Sequence, residues 1–320
     1  MREEVEALVA QKWENPPWRY WAAVLKWSLF PREGWPPYWW HRRPRELRIP
    51  PWYRTPSSPP GHVRITVVTP SYNQARFLEH TLRSVLAQAY PNLEYIVQDG
   101  ASTDGTTEIL SRYQKHLAHV ASHPDRGQAH ALNLGFARSS GDIMAYLNAD
   151  DILLPGTLHY VAAFFQQHPE IDVVYGHRVV MDEQGREIGR WVLPPHDTQV
   201  LYWTDYIPQE TLFWRRQIWE RVGGFDETLQ FALDWDLILR FAQVGARVVR
   251  LPRFLGAFRV HTSQKTSSQW ETLGRQEVVQ LQRRYLGREV TSREVEKVIR
   301  PYLRRAFWYY VGYRIGLLRY

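Results

Sequence analysis

The sequence contains no cysteine, which excludes disulfide bonds, thiolate metal sites and a cysteine nucleophile but leaves the redox compartment open. The apolar run at residues 21–30 is interrupted by Lys26 and is too short to span a bilayer. Residues 1–4 lack the basic segment that opens a signal peptide. The Gly-x-Gly-x-x-Gly turn of dinucleotide-binding proteins is also missing, which argues against an NAD-dependent dehydrogenase.

The length of 320 residues allows one large domain or two modest ones around a real hydrophobic core. The net charge of +7 is unevenly distributed. Residues 1–60 contain ten Lys or Arg against six Asp or Glu, and residues 266–320 contain eleven against five, so the stretch between them is slightly acidic. A nucleic-acid-binding protein needs a basic patch at its recognition motif. The acidic centre therefore argues against nucleic acid as a partner.

The first 60 residues are rich in tryptophan and contain eight of the 15 in the chain. Asn15 is a suitable N-cap ahead of Pro16 and Pro17 for a short helix that Pro31 must end. Indole rings favour the boundary between water and lipid, where the apolar ring and the N–H are both satisfied. Two interpretations stay open: contact with a membrane surface, or packing onto the main domain or a partner subunit.

Residues 50–61 are rich in proline and serine, which indicates a domain boundary near residue 60. Beyond it we predict strands at residues 63–69, 93–97 and 143–147 and one around Val120, with helices at residues 75–88, 106–116, 128–138 and 157–167. This alternation is typical of parallel βαβ units. Later strands at residues 171–175, 178–181 and 187–193, with a hairpin turn at residues 182–185, make the second half mixed. The expected fold class is α/β, a Rossmann-like mixed sheet with helices on both faces.

Acidic residues lie where the predicted strands end. Asp99 follows the second strand, and Asp150 and Asp151 follow the strand at residues 143–147. A further acid, Asp234, lies in a later helical segment. Because open α/β sheets bind ligands at the carboxyl ends of their strands, we expect these carboxylates to meet at one site, suited to a divalent metal and a phosphorylated ligand. For Asp99 alone, an N-cap or Asx-turn is the ordinary alternative.

The motif Asn148-Ala149-Asp150-Asp151 is the most specific of these signals. Residues 148 and 150 share one side of an extended chain, so Asn148 and Asp150 can face a cation that Asp151 does not. The alternative for Asp151 is a cap on the helix that begins near Pro155. A hard ion held by few protein oxygens would be completed by phosphate oxygens and water. We therefore predict Asp150 as the metal ligand.

Six motifs in order carry a family resemblance. They are TPSYN at residues 69–73, QDGASTDGT at residues 98–106, DRGQ at residues 125–128 with Asn133, LNADD at residues 147–151, GGFDE at residues 223–227 and LDWDL at residues 233–237 with Arg240. Over roughly residues 62–265, the chain resembles a family-2 glycosyltransferase of GT-A fold. The two flanks lie outside this resemblance.

The resemblance implies a role for each matching residue. It implies a nucleotide-sugar site formed by Pro70, Tyr72, Asn73, Asp99, Asp125, Arg126, Gly127, Asn148 and Asp151. It also implies Asp150 as ligand of a Mg²⁺ or Mn²⁺ cofactor and Asp234 as the catalytic base. The donor would be a nucleotide-diphosphate sugar, with a UDP-sugar favoured through Asp99. Two positions depart from the family pattern, since Asn148 replaces the commoner aspartate and Leu233 stands where many relatives have glutamate.

The implied reaction is a single displacement that inverts the anomeric centre. The metal ion would stabilise charge on the departing nucleoside diphosphate, and a carboxylate opposite the leaving group would deprotonate the acceptor hydroxyl. Asp236 and Asp226 are the acids that could be confused with Asp234 in this role. Residues 234 and 236 point in different directions on a helix, so only one of them reaches the acceptor.

Two other functions would also use a nucleotide-binding site of this kind. A nucleotidyltransferase shares the nucleotide and metal requirements, but it usually needs a Gly-rich basic phosphate loop where this chain has SYNQ at residues 71–74. A catalytically dead sugar-nucleotide scaffold would have no need for costly clustered carboxylates. The sequence therefore favours the glycosyltransferase over both alternatives.

Downstream residues extend the predicted site. His261 follows a strand-like segment and is a candidate ligand for the metal or the pyrophosphate, the alternative being a solvent-facing loop histidine. Gln209, Glu210, Trp235 and Asp236 are assigned to the acceptor side, although polar residues near a strand start are also ordinary surface.

The C-terminal segment has a basic and aromatic character. Residues 294–320 predict one or two helices, with Pro301 forcing a kink or a break. Five arginines lie beside Trp308 on this segment: Arg300, Arg304, Arg305, Arg314 and Arg319. This combination suits a helix at a lipid surface, and the alternative is an oligomer contact or a cover for the main domain.

These observations predict three segments: an N-terminal flank at residues 1–60, a catalytic domain at residues 61–265 and a C-terminal helical segment at residues 266–320. A lipid-linked acceptor would account for both flanks, and a glycan is the other acceptor class expected. The expected location is the cytoplasm, with peripheral contact at the inner face of the membrane.

Overall fold

The computed structural model describes residues 43–54, 63–264 and 270–320. The predicted helix between Asn15 and Pro31 and most of the tryptophan-rich flank lie outside these residues. Within the described ranges, nine strands form one mixed sheet.

The first half of the sheet is parallel. Its strands are β1 (Ile65–Ser71), β2 (Leu93–Asp99), β3 (His119–Ser122) and β4 (Ile143–Tyr146), and its helices are α1 (Ala75–Leu86), α2 (Thr106–Tyr113) and α3 (Gln128–Ala137). All seven residues of β1 are buried, as expected of a strand covered by helices on both faces. The predicted helix at residues 106–116 ends earlier, because a 3₁₀ turn at Gln114–His116 replaces its last turn.

The second half is mixed, as predicted. Its elements are β5 (Ile152–Leu153), α4 (Thr157–Gln167), β6 (Val173–Met181), β7 (Glu187–Trp191), α5 (Thr198–Leu201), a 3₁₀ turn (Gln209–Thr211), β8 (Phe213–Arg215), α6 (Arg216–Val222), α7 (Leu233–Gln243) and β9 (Val248–Arg259). The strand order of the sheet is β3-β2-β1-β4-β8-β6-β9-β5, and β7 pairs with β6. Strand β8 joins β4 to β6 by antiparallel pairing, and β6 pairs in parallel with β9. This topology places the acidic loop after β4 beside the end of β9.

The strands predicted at residues 171–175 and 178–181 are one continuous strand, β6. In the sequence analysis, Gly176 and His177 separate the two predicted strands. In the structure, a Cβ on Gly176 would lie 2.5 Å from Leu255 Cγ, so glycine allows β9 to approach closely. The pairing register with β9 shifts on either side of His177, which is fully buried and accepts a hydrogen bond from the Leu193 N–H at Nδ1.

Two helices follow a π-helical turn at Trp270–Gly274: α8 (Arg275–Leu286) and α9 (Ser292–Arg314). Helix α9 continues through Pro301, which the sequence predicted to kink or break it. A proline inside a helix costs roughly 3 kcal/mol. Tyr302, Leu303, Phe307 and Tyr310 are buried against the main domain, and each such burial contributes about 1.5–3 kcal/mol, which outweighs that cost. No helix in the described ranges combines the length and apolar character needed to cross a membrane.

Trp214 on β8 provides a test of this core. Its side chain is fully buried, and its ring lies 5.7 Å from Phe136 and 5.9 Å from Phe241. We expect Trp214→Ala to lower the free energy of unfolding by about 3–5 kcal/mol, measured by urea denaturation followed by circular dichroism. Trp308→Ala is the matched control, because Trp308 is 64% exposed and its loss should change stability by less than about 0.5 kcal/mol. Equal effects of the two substitutions would contradict this description of the core.

Candidate active site

A cavity of about 1560 Å³ lies at the carboxyl ends of the parallel strands. Loops after β1, β2 and β4, the start of α7 and the two C-terminal helices line it. Ten of the sequence-predicted site residues belong to this lining: Pro70, Tyr72, Asp125, Gly127, Asn148, Asp150, Asp151, Gln209, Asp234 and Trp235. The other six, namely Asn73, Asp99, Arg126, Glu210, Asp236 and His261, do not line it.

Asp99 and Asn73 hold the loops beside the cavity. The buried Asp99 carboxylate accepts hydrogen bonds from Ser102 N (2.9 Å), Ser102 Oγ (2.5 Å) and Ser122 Oγ (2.6 Å). Asp99 therefore has a structural role, although it bonds the backbone three residues on and not two residues on as in the Asx-turn that the sequence offered as an alternative. Asn73 has a positive φ of 51°, donates its N–H to Ser102 Oγ and accepts a bond from Thr103 N. Both side chains therefore shape the loop that presents Gly100 to the cavity.

Gly100 lets three loops meet. A Cβ at this position would lie 2.7 Å from Asp125 Oδ2 and 3.3 Å from the ring of Tyr72. Tyr72 is 65% exposed and offers an open aromatic face. Asp125 accepts a hydrogen bond from Gly127 N (2.8 Å), whereas Arg126 points away and pairs with Glu227 (2.5 Å).

Asn148 is held in a chain of amides. Its Oδ1 accepts a bond from Gln128 Nε2 (2.7 Å), and its Nδ2 donates to Gln209 Oε1 (3.1 Å). Gln209 in turn donates Nε2 to the Tyr146 carbonyl (2.7 Å). Because Gln209 Oε1 needs a donor, an ionised aspartate in place of Asn148 could not complete this chain. The departure from the family pattern therefore has a structural reason, which the sequence did not provide.

Asp150 lies against His261. The distance from Asp150 Oδ2 to His261 Nε2 is 2.9 Å, and His261 Nδ1 lies 2.9 Å from Ser263 Oγ. The side chain of His261 is 1% exposed and that of Asp150 is 16% exposed, so the alternative of a solvent-facing histidine is wrong. A carboxylate beside an imidazole is a donor set that suits Mn²⁺-type ions. The described residues contain no group of three or more Asp, Glu or His arranged to hold an ion unaided, so phosphate oxygens and water would have to complete the coordination.

Asp151 turns into the protein and does not cap the helix near Pro155. Its Oδ1 accepts a bond from Arg259 N (2.9 Å), while Arg259 Nε donates to the Asp150 carbonyl (2.8 Å). Burial, followed by the charges of Asp150 and Glu210, raises the pKa of Asp151 well above its usual range. Asp151 thus fastens the acidic loop to β9, the strand that leads to His261.

Arg178 is a site residue that the sequence analysis missed. Its side chain is 13% exposed, lines the cavity and pairs with Glu210 through Nε–Oε1 (2.8 Å) and Nη2–Oε2 (2.5 Å). It also lies 4.5 Å from the ring centroid of Phe258. Glu210, which was assigned to the acceptor side, is therefore engaged by Arg178. The sequence feature that could have identified Arg178 as a site residue is an arginine within the otherwise mostly apolar strand β6.

Asp234 lies in the first turn of α7 and lines the cavity. Burial raises the pKa of its carboxyl group, and the hydrogen bond from Trp235 N (2.9 Å) and the charge of Arg178 partly offset this effect. Asp205 lines the same cavity and was also missed. Burial and then the charge of Asp234 raise the pKa of Asp205 well above its usual range. The cavity thus holds two carboxyl groups whose pKa values are both raised, chiefly by burial.

The neighbours of Asp234 have structural roles. Asp236 is fully buried and accepts bonds from Arg240 Nε (2.8 Å), Tyr285 Oη (2.8 Å) and Arg284 Nη1 (3.2 Å). Its carboxylate faces the α7–α8 contact, which is not the acceptor side proposed from the sequence. Trp235 touches the cavity while its indole N–H donates to the Leu201 carbonyl (2.9 Å).

The fold is similar to those of two solved glycosyltransferase structures. S. aureus TarS in complex with UDP-GlcNAc has a TM-score of 0.58 and 20% identity, covering 77% of this chain and 73% of that chain. Mannosyltransferase PcManGT from Pyrobaculum calidifontis, in complex with GDP-Man and Mn²⁺, has a TM-score of 0.56 and 24% identity, covering 96% and 80%. The predicted GT-A type fold is thereby confirmed.

Sequence relatives carry glycosyltransferase names. An uncharacterized glycosyltransferase of Nostoc sp. is 26% identical over 212 residues, which is 62% of this chain and 65% of that protein. A PGL/p-HBAD biosynthesis glycosyltransferase of Mycobacterium bovis is 29% identical over 189 residues, or 58% of this chain and 72% of that protein. The chain thus spans about two-thirds of the length of these relatives.

The family resemblance drawn from six motifs is confirmed by a direct match. The model of glycosyl transferase family 2 matches residues 66–238, which is more than half of the chain and contains the cavity-lining loops and the first turn of α7. This chain belongs to glycosyl transferase family 2.

Proposed function

We propose that this chain transfers a sugar from a nucleotide-diphosphate sugar to an acceptor hydroxyl and inverts the anomeric centre in one displacement. The observation that carries this proposal is that Asp150 and Asp234 line one cavity, with His261 in contact with Asp150 from behind the lining. A uridine donor is favoured, and guanosine and thymidine donors are the alternatives to be tested. The nucleotidyltransferase and the inactive scaffold have no comparable support.

The donor is expected to bind where the loops after β1 and β2 meet. Tyr72 offers an aromatic face for a base. Gly100 and Gly127 line the cavity and allow a ligand to approach the backbone closely. The position of Asp99 behind Gly100, fully bonded to two serines, makes it a support for this loop. Pro70 and Asp125 complete the donor side.

Asp150 and His261 would hold the divalent ion, Mg²⁺ or Mn²⁺. Their adjacent oxygen and nitrogen donors fit such an ion, and Ser263 and Phe77 fix the orientation of the imidazole ring. When bound, the ion would neutralise the negative charge that develops on the departing diphosphate. Asn148 lines the same cavity, and two glutamines hold its side chain in place.

Asp234 is the proposed general base. Its carboxylate takes the proton of the acceptor hydroxyl as the oxygen attacks the sugar. Burial raises its pKa toward the working pH, which strengthens it as a base, while Trp235 N–H and Arg178 help to keep it ionised. Asp205 lines the same cavity, and burial and then the charge of Asp234 raise its pKa.

We further propose that the acceptor is a glycan or lipid-linked molecule of the cell envelope and that the enzyme works in the cytoplasm at the inner face of the membrane. The support is an exposed surface of α9 and the tail after it, where Trp308, Ile315 and Leu317 are 64%, 65% and 77% exposed. Arg304 and Arg305 lie on the same helix. Exposed apolar side chains next to arginines suit an anionic lipid surface. The division into flanks at residues 1–60 and 266–320 around a catalytic domain at residues 61–265 belongs to this proposal.

The function is tested by calorimetric titration of the chain with UDP-, GDP- and dTDP-sugars, with and without Mn²⁺. One class of sugar nucleotide should bind. Its sugar should be transferred slowly to water and faster to an acceptor, and each transfer releases the nucleoside diphosphate. Binding of a nucleoside triphosphate and a sugar phosphate, with formation of diphosphate, would instead support the nucleotidyltransferase.

Asp234→Asn should reduce release of the nucleoside diphosphate by about 10²–10⁴-fold, because the general base is lost. Donor affinity should change less than about twofold, since the amide keeps the size of the side chain. Turnover and calorimetric affinity are measured on the same preparation. Asp226→Asn is the matched control, because Asp226 pairs with Thr228 and Arg284 and does not line the cavity. Normal turnover by the Asp234 variant would show that the base has been misassigned.

Asp150→Ala should weaken donor affinity in the presence of Mn²⁺ by roughly tenfold or more and reduce turnover as well, because a metal ligand is removed. Without Mn²⁺ the variant and the parent protein should bind the donor about equally. Isothermal titration with and without EDTA measures both quantities. Asp142→Ala provides the control, because Asp142 lies at the amino end of β4 and accepts a bond from Arg64 N. A metal response that survives in the Asp150 variant would exclude this residue as a ligand.

A further inference from the structure

The side of the cavity formed by the C-terminal helices, Trp203 and Phe231 carries a cluster of apolar side chains beside the polar Gln282, Ser292 and Glu296. Six apolar side chains line it, and we call them the apolar wall: Trp203, Phe231, Val278, Val279, Val295 and Ile299. Five of them are half-buried, and Val279 is 42% exposed. The rest of the lining is mainly polar and contains Asp150 and Asp234. One cavity therefore joins the proposed reaction centre to an apolar surface.

A cation lies beside the apolar wall. Arg275 begins α8, lines the cavity and is exposed. Val278 and Val279 follow it by three and four residues, so all three lie on one face of the helix. No acid among the described residues forms a salt bridge with Arg275. An exposed guanidinium without an acidic partner is suited to bind a phosphate group.

We propose that the apolar wall binds the hydrocarbon chain of an amphiphilic acceptor, and that Arg275 binds an anionic group linking this chain to a hydroxyl-bearing headgroup. The inference rests on the proposed function, because the headgroup must present its hydroxyl to Asp234 in the same cavity. A purely polar glycan would leave the apolar wall without a complementary surface. A neutral hydrocarbon would leave Arg275 without a partner.

The test is titration of the full chain, saturated with the nucleotide found in the donor screen, with geranyl phosphate, geraniol and inorganic phosphate. Geranyl phosphate should bind at least about tenfold more tightly than either of the others, because only it offers both groups. Val279→Asp should weaken geranyl phosphate binding roughly tenfold or more. Arg275→Gln should weaken geranyl phosphate binding and leave geraniol unchanged.

Ala137→Asp is the control for introducing a charge, because Ala137 is exposed at the end of α3 and lies outside both the cavity and the proposed lipid-facing surface. Its geranyl phosphate affinity should equal that of the parent chain. An equal loss in both variants would overturn the proposal in favour of general surface adsorption, and so would geranyl phosphate binding no tighter than inorganic phosphate. If the nucleotide sugar itself fails to bind, the proposed function fails instead, and the donor screen shows this separately.

An independent observation concerns Glu277 on α8. Its buried carboxylate accepts three hydrogen bonds, each 2.8 Å long, from the successive backbone N–H groups of Gln230, Phe231 and Ala232. These residues directly precede α7, whose second residue is Asp234. A carboxylate that accepts several N–H groups at the start of a helix fixes the path of the chain there.

We infer that Glu277 is a positioning residue for the proposed base. It acts through the backbone of residues 230–232, which sets the direction in which α7 presents Asp234 to the cavity. Small displacements of a reacting group reduce rates strongly, because attack requires closely defined distances. The C-terminal helices, which lie beyond the matched residues 66–238, thus contribute to the reaction centre.

Glu277→Gln keeps the size of the side chain but removes the charge that three N–H donors share. We expect turnover to fall roughly tenfold or more while donor affinity changes less than about twofold. The acid limb of the pH–rate profile should move to lower pH, because a loosened α7 start admits water and lowers the raised pKa of Asp234. Turnover, donor affinity and pH profile are measured together.

Two variants separate positioning from general stability. Glu289→Gln removes only an exposed pair with Arg283, and Tyr285→Phe loosens the α7–α8 contact at Asp236 without touching residues 230–232. Both should keep normal turnover and pH dependence. The inference is overturned if Tyr285→Phe lowers turnover as much as Glu277→Gln, or if the Glu277 variant loses stability alone and keeps its turnover.

Discussion

The site depends on one largely buried positive charge, the guanidinium group of Arg178. Arg178 pairs through two hydrogen bonds with Glu210 and lies among the carboxyl groups of Asp151, Asp205 and Asp234. Burial alone would lower the pKa of Arg178, but the charge and hydrogen bonds of Glu210 outweigh burial and raise it. Several acids close together in a poorly hydrated wall cannot all stay ionised unless a positive charge compensates them. Arg178 supplies that charge, and its faces pack against Phe258 and Trp191.

The sheet explains how this cation reaches the acids. Strand β6 carries Arg178 and pairs with β7, β8 and β9. Its neighbour β9 brings Arg259 to the acidic loop after β4, and two residues later His261 meets Asp150. The first half of the fold therefore supplies the donor loops, and the second half supplies the charges that control the proposed chemistry. Neither half would form the cavity alone.

The C-terminal helices complete this arrangement from outside the matched family region. Helix α8 contacts the start of α7 through Glu277 and the buried Asp236 through Arg284 and Tyr285. Helix α9 buries Tyr302 against Tyr206, with ring centroids 4.5 Å apart. These two helices also supply four of the six residues of the apolar wall. The helices outside the matched residues 66–238 thus line the same cavity, and we propose that they bind the acceptor.

The sequence by itself determined the parallel half of the sheet and the edge at which the site lies. Buried strands are continuous apolar runs, and parallel strands direct their carboxyl ends to one edge, so Asp150 and Asp151 could be located without coordinates. Only the tertiary structure decided what each acid does: Asp99 is bonded to two serines, Glu210 to Arg178 across 32 positions, and Asp236 to α8. The role of a carboxylate is set by the partners that folding brings to it, and those partners lie too far along the chain for local spacing to reveal.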